Sequence, residues 1–505
     1  MTESSARSTI NLSLVSHTNA GKTTLVRTLL ARDVGEVRDA AHVTDMATGY
    51  LLLQAGDDSL MLWDTPGFGD TARLLKRLKL AGNPLGWFLT QVWDRWRERP
   101  LWSSQQAVRN ARDHADVILY LVNASEDPEN AGYVAIEMEI LAWVGKPVVL
   151  LLNQTGPPQA DGSAEEERWV DHLSDHPIVR GALTLDAFAR CWVQEGTLLR
   201  TVRPLLPAAK DAGFARLQQA WQANNLDRFR RSMDILASHL AQAAVDREHV
   251  PEQKWQDRVG GAIRSLGKEE APEARRAVGK LAERLEASTR SSTEELIGLH
   301  GLSGKAAGEV LRRIGKDVST SAPAREGFSA MLGGVLSGAL GGLAADVAAG
   351  GLTLGGGMIV GGLLGAAGAG GLARGYNMVR GETNPVVRWS DDFLLSLVRL
   401  ALLRYLAVAH FGRGRGQYQE GEHPAFWQAA VAEAVEARQE QLRSVWQRAK
   451  GSDPAVLTPS LAALLGGAAG AVLARFYPEA SALFPGEGAP VASAPAAGEG
   501  GAHMV

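Results

Sequence analysis

A short segment near the start of the chain has the residue types and spacing needed to hold a phosphate group. Ser16-His-Thr-Asn-Ala-Gly-Lys-Thr23 follows the Walker A pattern G-x-x-x-x-G-K-[ST], with serine in place of the first glycine. In such a loop the backbone N–H groups point at phosphate oxygens, Lys22 adds a positive charge, and the Thr23 hydroxyl can bind Mg²⁺. The sequence therefore predicts a nucleoside triphosphate site whose loop residues are Ser16, Asn19, Ala20, Gly21, Lys22, Thr23 and Thr24.

A second motif supplies the acidic group that such a site needs. Ser59-Leu-Met-Leu-Trp63 is typical of a strand, and Asp64-Thr-Pro-Gly67 follows it directly. In a D-x-x-G motif the aspartate holds Mg²⁺ through water, and the glycine N–H meets the γ-phosphate. We therefore assign Asp64 to the metal beside Thr23, and we assign Gly67 and Lys22 to catalysis.

The segments around these motifs predict the elements of an α/β domain. Residues 10–14 alternate between apolar and polar, as in a half-buried strand, and the next segment has a helical apolar face. Near-continuous apolar runs at 117–122 and 147–152 indicate parallel strands that are covered on both faces. Residues 50–54 and 59–63 form a predicted hairpin. We predict an α/β P-loop domain with a mostly parallel sheet over residues 1–206, with an insertion near 70–112.

The two motifs resemble those of the translation-factor-related class of GTPases, in particular the Era-like and TrmE-like families. Asn19-Ala-Gly-Lys-Thr-Thr24 and Trp63-Asp-Thr-Pro-Gly-Phe68 carry the resemblance. In its general character the whole chain resembles bacterial Era-like GTPases with a glycine-rich C-terminal domain of unknown function. This resemblance implies that the α/β domain, here called the G domain, binds GTP and GDP with Mg²⁺ and hydrolyses GTP.

Two positions distinguish the predicted mechanism from that of Ras-like enzymes. Phe68 stands where those enzymes place the glutamine that orients the attacking water, so that route is closed here. The resemblance to TrmE-like enzymes implies that Asn19 helps to bind K⁺ beside the phosphates. We therefore hypothesise K⁺-stimulated hydrolysis coupled to G-domain homodimerisation. The alternative is that Asn19 only shapes the loop.

The remaining site residues are predicted from their places along the chain. Thr44 is the candidate switch I threonine that reaches Mg²⁺ when the γ-phosphate is present, with Thr48 in reserve and an ordinary loop hydroxyl as the alternative. Asn153 ends a buried strand where the family would show N-K-x-D, but the sequence continues Gln-Thr-Gly. Asp186 and Ala187, after the predicted sixth strand, occupy the place of the last guanine-binding motif. Because the guanine-binding aspartate is missing, the prediction of GTP rests on the resemblance more than on these residues.

Composition and the N-terminal residues restrict the partners and the cellular compartment that we predict. A net charge of −4 and a pI near 6.3 give no electrostatic case for a nucleic-acid partner. Cys191 is the single cysteine, so no intramolecular disulfide can form. The N-terminal residues lack the apolar region of a signal peptide, so we expect the G domain on the cytosolic side. The histidines show no metal-ligand spacing.

The C-terminal half is predicted to be all-α. We divide it into a charged helical region over 207–326, a glycine-rich apolar helical hairpin over 327–380, a second helical region over 381–475 and a disordered tail over 476–505. Between 327 and 373 Asp346 is the only charged residue, and glycines recur at four-residue steps. This hairpin could enter the inner membrane with both ends in the cytosol, or it could be buried in a soluble bundle. A Trp-bearing stripe in the insertion could likewise lie at a membrane or in a helical core.

The leading hypothesis is a GTP-hydrolysing molecular switch on the cytosolic face of the inner membrane, with a protein partner still to be identified. The first alternative is a membrane scaffold that binds nucleotide but barely hydrolyses it, which Phe68 would favour. The second is an ATPase, which the degenerate guanine motif would favour.

Overall fold

The computed structural model describes ten segments of the chain, and all structural statements below refer to them. They are residues 7–30, 46–79, 98–153, 162–185, 191–249, 272–302, 376–380, 385–410, 424–449 and 451–484. The chain forms two compact units, with the change between them after Leu226; the second unit contains Asp227–Ala409 and His423–Ala489.

The first unit is built on a six-stranded sheet with the order β2-β3-β1-β4-β5-β6. Neighbouring strands are parallel, except that β2 pairs antiparallel with β3 to form the predicted hairpin at the edge. Both β4 and β5 are buried along almost their whole length, because helices cover the two faces of the sheet. The strands are β1 (Thr9–Ser16), β2 (Thr48–Ala55), β3 (Asp58–Asp64), β4 (Val117–Asn123), β5 (Val148–Asn153) and β6 (Val179–Thr184).

Helices alternate with these strands, as the sequence predicts. They are α1 (Lys22–Leu30), α2 (Thr71–Leu78), α3 (Arg99–Asp113), α4 (Gly132–Ala142), α5 (Gly162–His172) and α6 (Trp192–Val202). Residues from α2, α3, α4 and α5 share one hydrophobic core with β4 and β5. Of the predicted insertion, 80–97 lies outside the described residues, and most of the remainder forms α2 and α3.

One long helix, α7 (Ala208–Val245, 38 residues), begins in the first unit and continues into the second. Its first turns are held by charged groups at the starts of the strands. Lys210 Nζ donates to both Asp116 oxygens at 2.8 and 2.7 Å, and Arg216 Nε donates to Asp58 Oδ2 at 2.6 Å. The predicted domain boundary at 206 falls just before this helix.

The second unit is mainly helical, as the sequence predicts, and it also contains one small sheet that the sequence does not predict. Its further helices are α8 (Pro272–Leu299), α9 (Asp391–Ala409), α10 (Pro424–Glu436), α11 (Gln439–Arg448) and α12 (Pro454–Phe476). The sheet has the order β7-β9-β8 and is antiparallel, with β7 (Arg247–His249), β8 (Tyr376–Arg380) and β9 (Pro385–Trp389). Strand β8 occupies the end of the predicted glycine-rich hairpin, and β9 interrupts the predicted second helical region.

Two further predictions concern the C-terminal half. The glycine-rich segment 327–373 lies outside the described residues. The predicted disordered tail begins too early, because Pro478–Ala482 forms a 3-10 helix whose Ala480 is buried. Among the described helices, α12 alone is long and apolar enough to cross a membrane, with a mean hydropathy of 1.8 and 44% of that window buried within the protein.

Candidate functional site

The predicted phosphate loop connects the end of β1 to the start of α1. It turns through two residues with left-handed backbone, Asn19 (φ 66°) and Gly21 (φ 92°). Glycine suits the second position for two reasons: its φ is unfavourable for other residues, and an added Cβ would lie 2.9 Å from Asn153 Nδ2. Asn19 is exposed. The geometry thus places the α1 N-terminus and the loop amides together at the carboxyl edge of the sheet, where ligands bind in such folds.

The lysine of the motif is enclosed by its own loop. Lys22 is 7% exposed, and its Nζ donates to Ser16 Oγ at 2.7 Å and to His17 O at 3.3 Å. Burial lowers the pKa of Lys22 to about 8, while the charges of Asp64 and Glu137 oppose that shift. A buried ammonium held mainly by neutral oxygens favours the arrival of an anion. This is the electrostatic setting of a phosphate site.

Two of the three predicted metal-binding side chains, Thr23 and Asp64, are in contact. Thr23 Oγ1 donates to Asp64 Oδ2 at 2.6 Å. Asp64 is 2% exposed, and its Oδ1 has no hydrogen-bond partner among the described residues. Burial raises the pKa of Asp64, although the Thr23 hydrogen bond and the charges of Lys22 and Arg27 oppose the rise. A hydroxyl beside a carboxylate with one oxygen still unsatisfied is the hard-oxygen donor set that Mg²⁺ prefers, so these residues fit the ion that the motif implies.

The D-x-x-G segment packs directly on the phosphate loop. An added Cβ at Gly67 would lie 2.9 Å from Thr18 Cα and 3.1 Å from Lys22 Nζ, so only glycine fits there without displacement. Phe68 continues this contact through its backbone: its N–H donates to Ser16 O at 2.9 Å, and its O accepts from Thr18 N–H at 3.1 Å. The Phe68 side chain is fully buried in the core. It therefore anchors the segment and has no polar group with which to orient water.

Asn153 contacts the phosphate loop from the end of β5. It is fully buried at the end of β5, and its Nδ2 donates to Ala20 O at 3.1 Å. The structure therefore gives this predicted base-binding residue a contact with the phosphate loop. Thr48, the reserve switch threonine, starts β2 and donates to Met46 O at 3.5 Å. Thr44, Asp186 and Ala187 lie outside the described residues.

One acidic group near the loop was missed by sequence reasoning. Glu137 of α4 is fully buried, and its Oε1 lies 2.6 Å from His17 Nδ1 in the phosphate loop. Its other oxygen accepts from Tyr120 OH at 2.6 Å. A glutamate among the mostly apolar residues of α4 was the available signal, but spacing along the chain could not connect it to the loop. No group of three or more His, Cys, Asp or Glu in the described segments could hold a metal by itself.

Two family models match this chain. A domain of unknown function, DUF3482, matches residues 180–456, which is more than half of the 505 residues. The chain belongs to the DUF3482 family. In this family member a second model, described as 50S ribosome-binding GTPase, matches residues 11–154. The matched residues include the phosphate loop, Asp64 and Asn153. The predicted fold class is confirmed: an N-terminal P-loop GTPase domain with a mostly parallel sheet precedes a helical C-terminal region.

Solved structures similar to this DUF3482 member include two of Era and one of NFeoB. Era in complex with MgGDPNP and 16S ribosomal RNA nucleotides is 19% identical, with a TM-score of 0.30, over 40% of this chain and 58% of that chain. Era from Aquifex aeolicus, as a variant bound to GDP.AlF4-, is 20% identical, with a TM-score of 0.28, over 40% of this chain and 57% of that chain. An NFeoB variant from S. thermophilus bound to GMPPNP is 16% identical, with a TM-score of 0.24, over 42% of this chain and 79% of that chain. The chain thus spans less than two thirds of the Era chains. No curated protein matches it.

Proposed function

We propose that this protein is a GTP-binding and GTP-hydrolysing molecular switch. The observation that carries the proposal is the conjunction of the buried Lys22 ammonium with the Thr23–Asp64 pair. A positive charge and two hard oxygen ligands stand side by side at the N-terminus of α1. Membership of residues 11–154 in the P-loop GTPase class supports nucleotide hydrolysis in general.

The site residues have different roles in the proposed phosphoryl transfer. The loop amides and Lys22 bind the phosphates and offset the charge that develops on them as water attacks the γ-phosphorus. Thr23, Asp64 and Thr44 would hold the metal, and the Gly67 N–H would donate to a γ-phosphate oxygen. A bound Mg²⁺ would neutralise charge on the phosphate oxygens. The proposed base-binding residues are Asn153, Asp186 and Ala187.

The finer parts of the proposal concern activation and location. We propose that K⁺ bound through Asn19 replaces the missing glutamine route, that two G domains pair when GTP is bound, and that the protein acts on the cytosolic face of the inner membrane. Left-handed backbone at Asn19 suits either a K⁺ site or a purely structural loop corner. The apolar helix α12 and the glycine-rich segment 327–373 support a membrane location.

Binding measurements on the full chain test the central proposal. We expect the wild-type protein to bind fluorescent GTP in the presence of Mg²⁺, and Lys22→Ala to weaken that binding roughly tenfold to a hundredfold, the value of one or two charge-assisted hydrogen bonds. Lys280→Ala is the matched control, because Lys280 forms an exposed ion pair with Glu248 in the second unit. Equal affinities of Lys22→Ala and wild type would refute the site. Parallel titration with ATP decides the nucleotide.

The buried Phe68 side chain favours a second candidate function, a nucleotide-bound scaffold with negligible hydrolysis. Single-turnover hydrolysis in K⁺ and in Na⁺ buffers, with and without liposomes, separates the two functions. A switch should turn over faster in K⁺, whereas a scaffold should remain slow under all four conditions. Carbonate extraction of native membranes tests the location, since release into the supernatant would contradict membrane insertion.

A further inference from the structure

We propose that Glu137 is a positioning residue of the phosphate loop, acting through His17. The inference rests on the proposed function, because it concerns the same nucleotide site. Glu137 lies on α4, far along the chain from the loop, and belongs to none of the motifs that define the site. Its carboxyl group nevertheless lies 2.6 Å from His17 Nδ1 in the phosphate loop.

Hydrogen bonds fix the Glu137 carboxylate on both sides. His17 Nδ1 lies 2.6 Å from Oε1, and Tyr120 OH donates to Oε2 at 2.6 Å. Burial and the Glu137 charge raise the pKa of Tyr120 well above its usual value, so the phenol remains a donor. A carboxylate that is fully buried and bonded through both oxygens has little freedom to move. The imidazole that it holds is therefore fixed with it.

The same network continues to the lysine that meets the phosphates. The carbonyl oxygen of His17 accepts from Lys22 Nζ at 3.3 Å and also from the Ser16 hydroxyl, which itself accepts from Lys22 Nζ at 2.7 Å. His17 is thus held by Glu137 through its ring and by Lys22 through its backbone. Ser16, the residue that replaces the usual glycine, joins these two contacts. We infer that Glu137 sets the position of the first loop corner and therefore of the Lys22 ammonium.

The energetic cost of this arrangement argues for a functional role. Burial raises the pKa of Glu137, whereas the hydrogen bond and charge of His17, the Tyr120 hydrogen bond and the Lys22 charge lower it. A buried carboxyl group is destabilising unless its partners compensate, and an apolar side chain would fill the same place in α4 without that cost. Sites that must hold charged ligands within a fraction of an ångström use such supporting hydrogen bonds.

Other groups face His17 as well. The Tyr133 ring lies 4.5 Å from the imidazole ring, and Tyr133 OH donates to Glu126 at 2.8 Å. Neither Tyr133 nor Glu126 has a described bond to the loop backbone. Glu137 is therefore the group whose removal should release the imidazole.

The test compares three variants of the full chain by their dissociation constants for fluorescent GTP. Glu137→Ala removes the acceptor for His17, and we expect it to weaken binding about tenfold, the scale of one charge-assisted hydrogen bond. Glu137→Gln keeps an acceptor oxygen, and we expect its affinity to stay within about threefold of wild type on the same scale. Ser13→Ala is the matched control. It removes a buried 2.7 Å hydrogen bond to Asn110 in the same unit, without touching the loop.

Thermal unfolding of each variant separates loop positioning from general destabilisation. If Glu137→Ala and Ser13→Ala lose similar stability but only Glu137→Ala loses affinity, the positioning role is supported. If Glu137→Ala binds GTP as Ser13→Ala does, or if Glu137→Gln is as weak as Glu137→Ala, the proposal is overturned.

A double variant tests whether the effect passes through His17. We expect His17→Ala to weaken GTP binding as Glu137→Ala does, and the double variant to be no weaker than either, because both changes break one contact. Fully additive losses would overturn the proposed route. Lys22→Ala, measured beside them, keeps the two proposals distinct. A large loss for Lys22→Ala with none for Glu137→Ala rejects the positioning role alone, whereas equal binding by Lys22→Ala and wild type rejects the nucleotide site itself.

Discussion

The packing of α7 against the starts of the strands can be tested with one methyl group, at Gly213. A Cβ added there would lie 2.6 Å from Ser8 Oγ and 3.0 Å from Asp58 Oδ1, and both of those residues are buried. Ser8 N–H donates to the same Asp58 oxygen at 3.0 Å. Gly213→Ala must therefore displace α7 or disturb a buried hydrogen bond.

Opposing effects set the size of the change. Alanine is favoured over glycine within a helix by about 0.5–1 kcal/mol. Overpacking a buried contact costs about 1–3 kcal/mol, and a disturbed hydrogen bond adds about 1 kcal/mol. We expect a net loss of about 1–3.5 kcal/mol, which for a unit of this size lowers Tm by roughly 2–14 °C.

Thermal unfolding of the full chain measures this shift. The transition of the first unit is identified as the one that GTP raises, since a ligand stabilises the unit that binds it. Gly279→Ala is the control, because a Cβ added at Gly279 in α8 meets no described atom within 4 Å. We expect that variant to be slightly stabilised. A Gly213→Ala protein whose first unit melts at or above the wild-type temperature would refute the close packing.

Three further predictions follow from contacts in the two units. Gly67→Ala should weaken GTP binding, because its Cβ would lie 2.9 Å from Thr18 Cα; equal affinity in a fluorescent GTP titration would contradict that contact. Asp64→Asn should abolish the difference in GTP affinity between Mg²⁺ and EDTA. It should not lower the Tm of the free protein, because burial raises the pKa of the Asp64 carboxyl and the buried charge is therefore costly. Burial and the charge of Arg404 hold the pKa of His239 well below its usual value. Below about pH 6.5 the unfolded state therefore binds one proton more than the folded state. The free energy of unfolding of the second unit should then fall by up to about 1.4 kcal/mol per pH unit. His239→Gln should reduce that loss in urea denaturation at pH 7.0 and 5.5, and identical pH profiles would show that another group is responsible.

The parts of the site that lie within short segments could be predicted from the sequence. The phosphate loop and the D-x-x-G segment each combine a strand end with a fixed residue pattern, so local spacing places Lys22, Thr23 and Asp64 together once the strands are parallel. The β2–β3 hairpin was predictable for the same reason, because its two strands are adjacent along the chain.

The parts that depend on distant contacts could not be predicted in this way. Glu137 reaches His17 across a separation of 120 residues, and nothing in the pattern of α4 indicates which loop it meets. The small sheet could not be predicted for the same reason. Strand β7 has three residues and β8 and β9 have five each, and β7 pairs with β9 from a distant part of the chain. Short strands of this kind carry too few residues for a clear alternation of apolar and polar positions.

Strand β3 relates the nucleotide site to α7 through its alternating pattern. Its buried positions are Asp58, Leu60, Leu62 and Asp64, so both carboxylates lie on the face that is covered by the rest of the first unit. Asp64 ends the strand beside Thr23, and Asp58 begins it beside Arg216 of α7. Strand β3 therefore provides one carboxylate to the candidate nucleotide site and another to the contact with α7. The helix that receives this contact is the one that continues into the second unit.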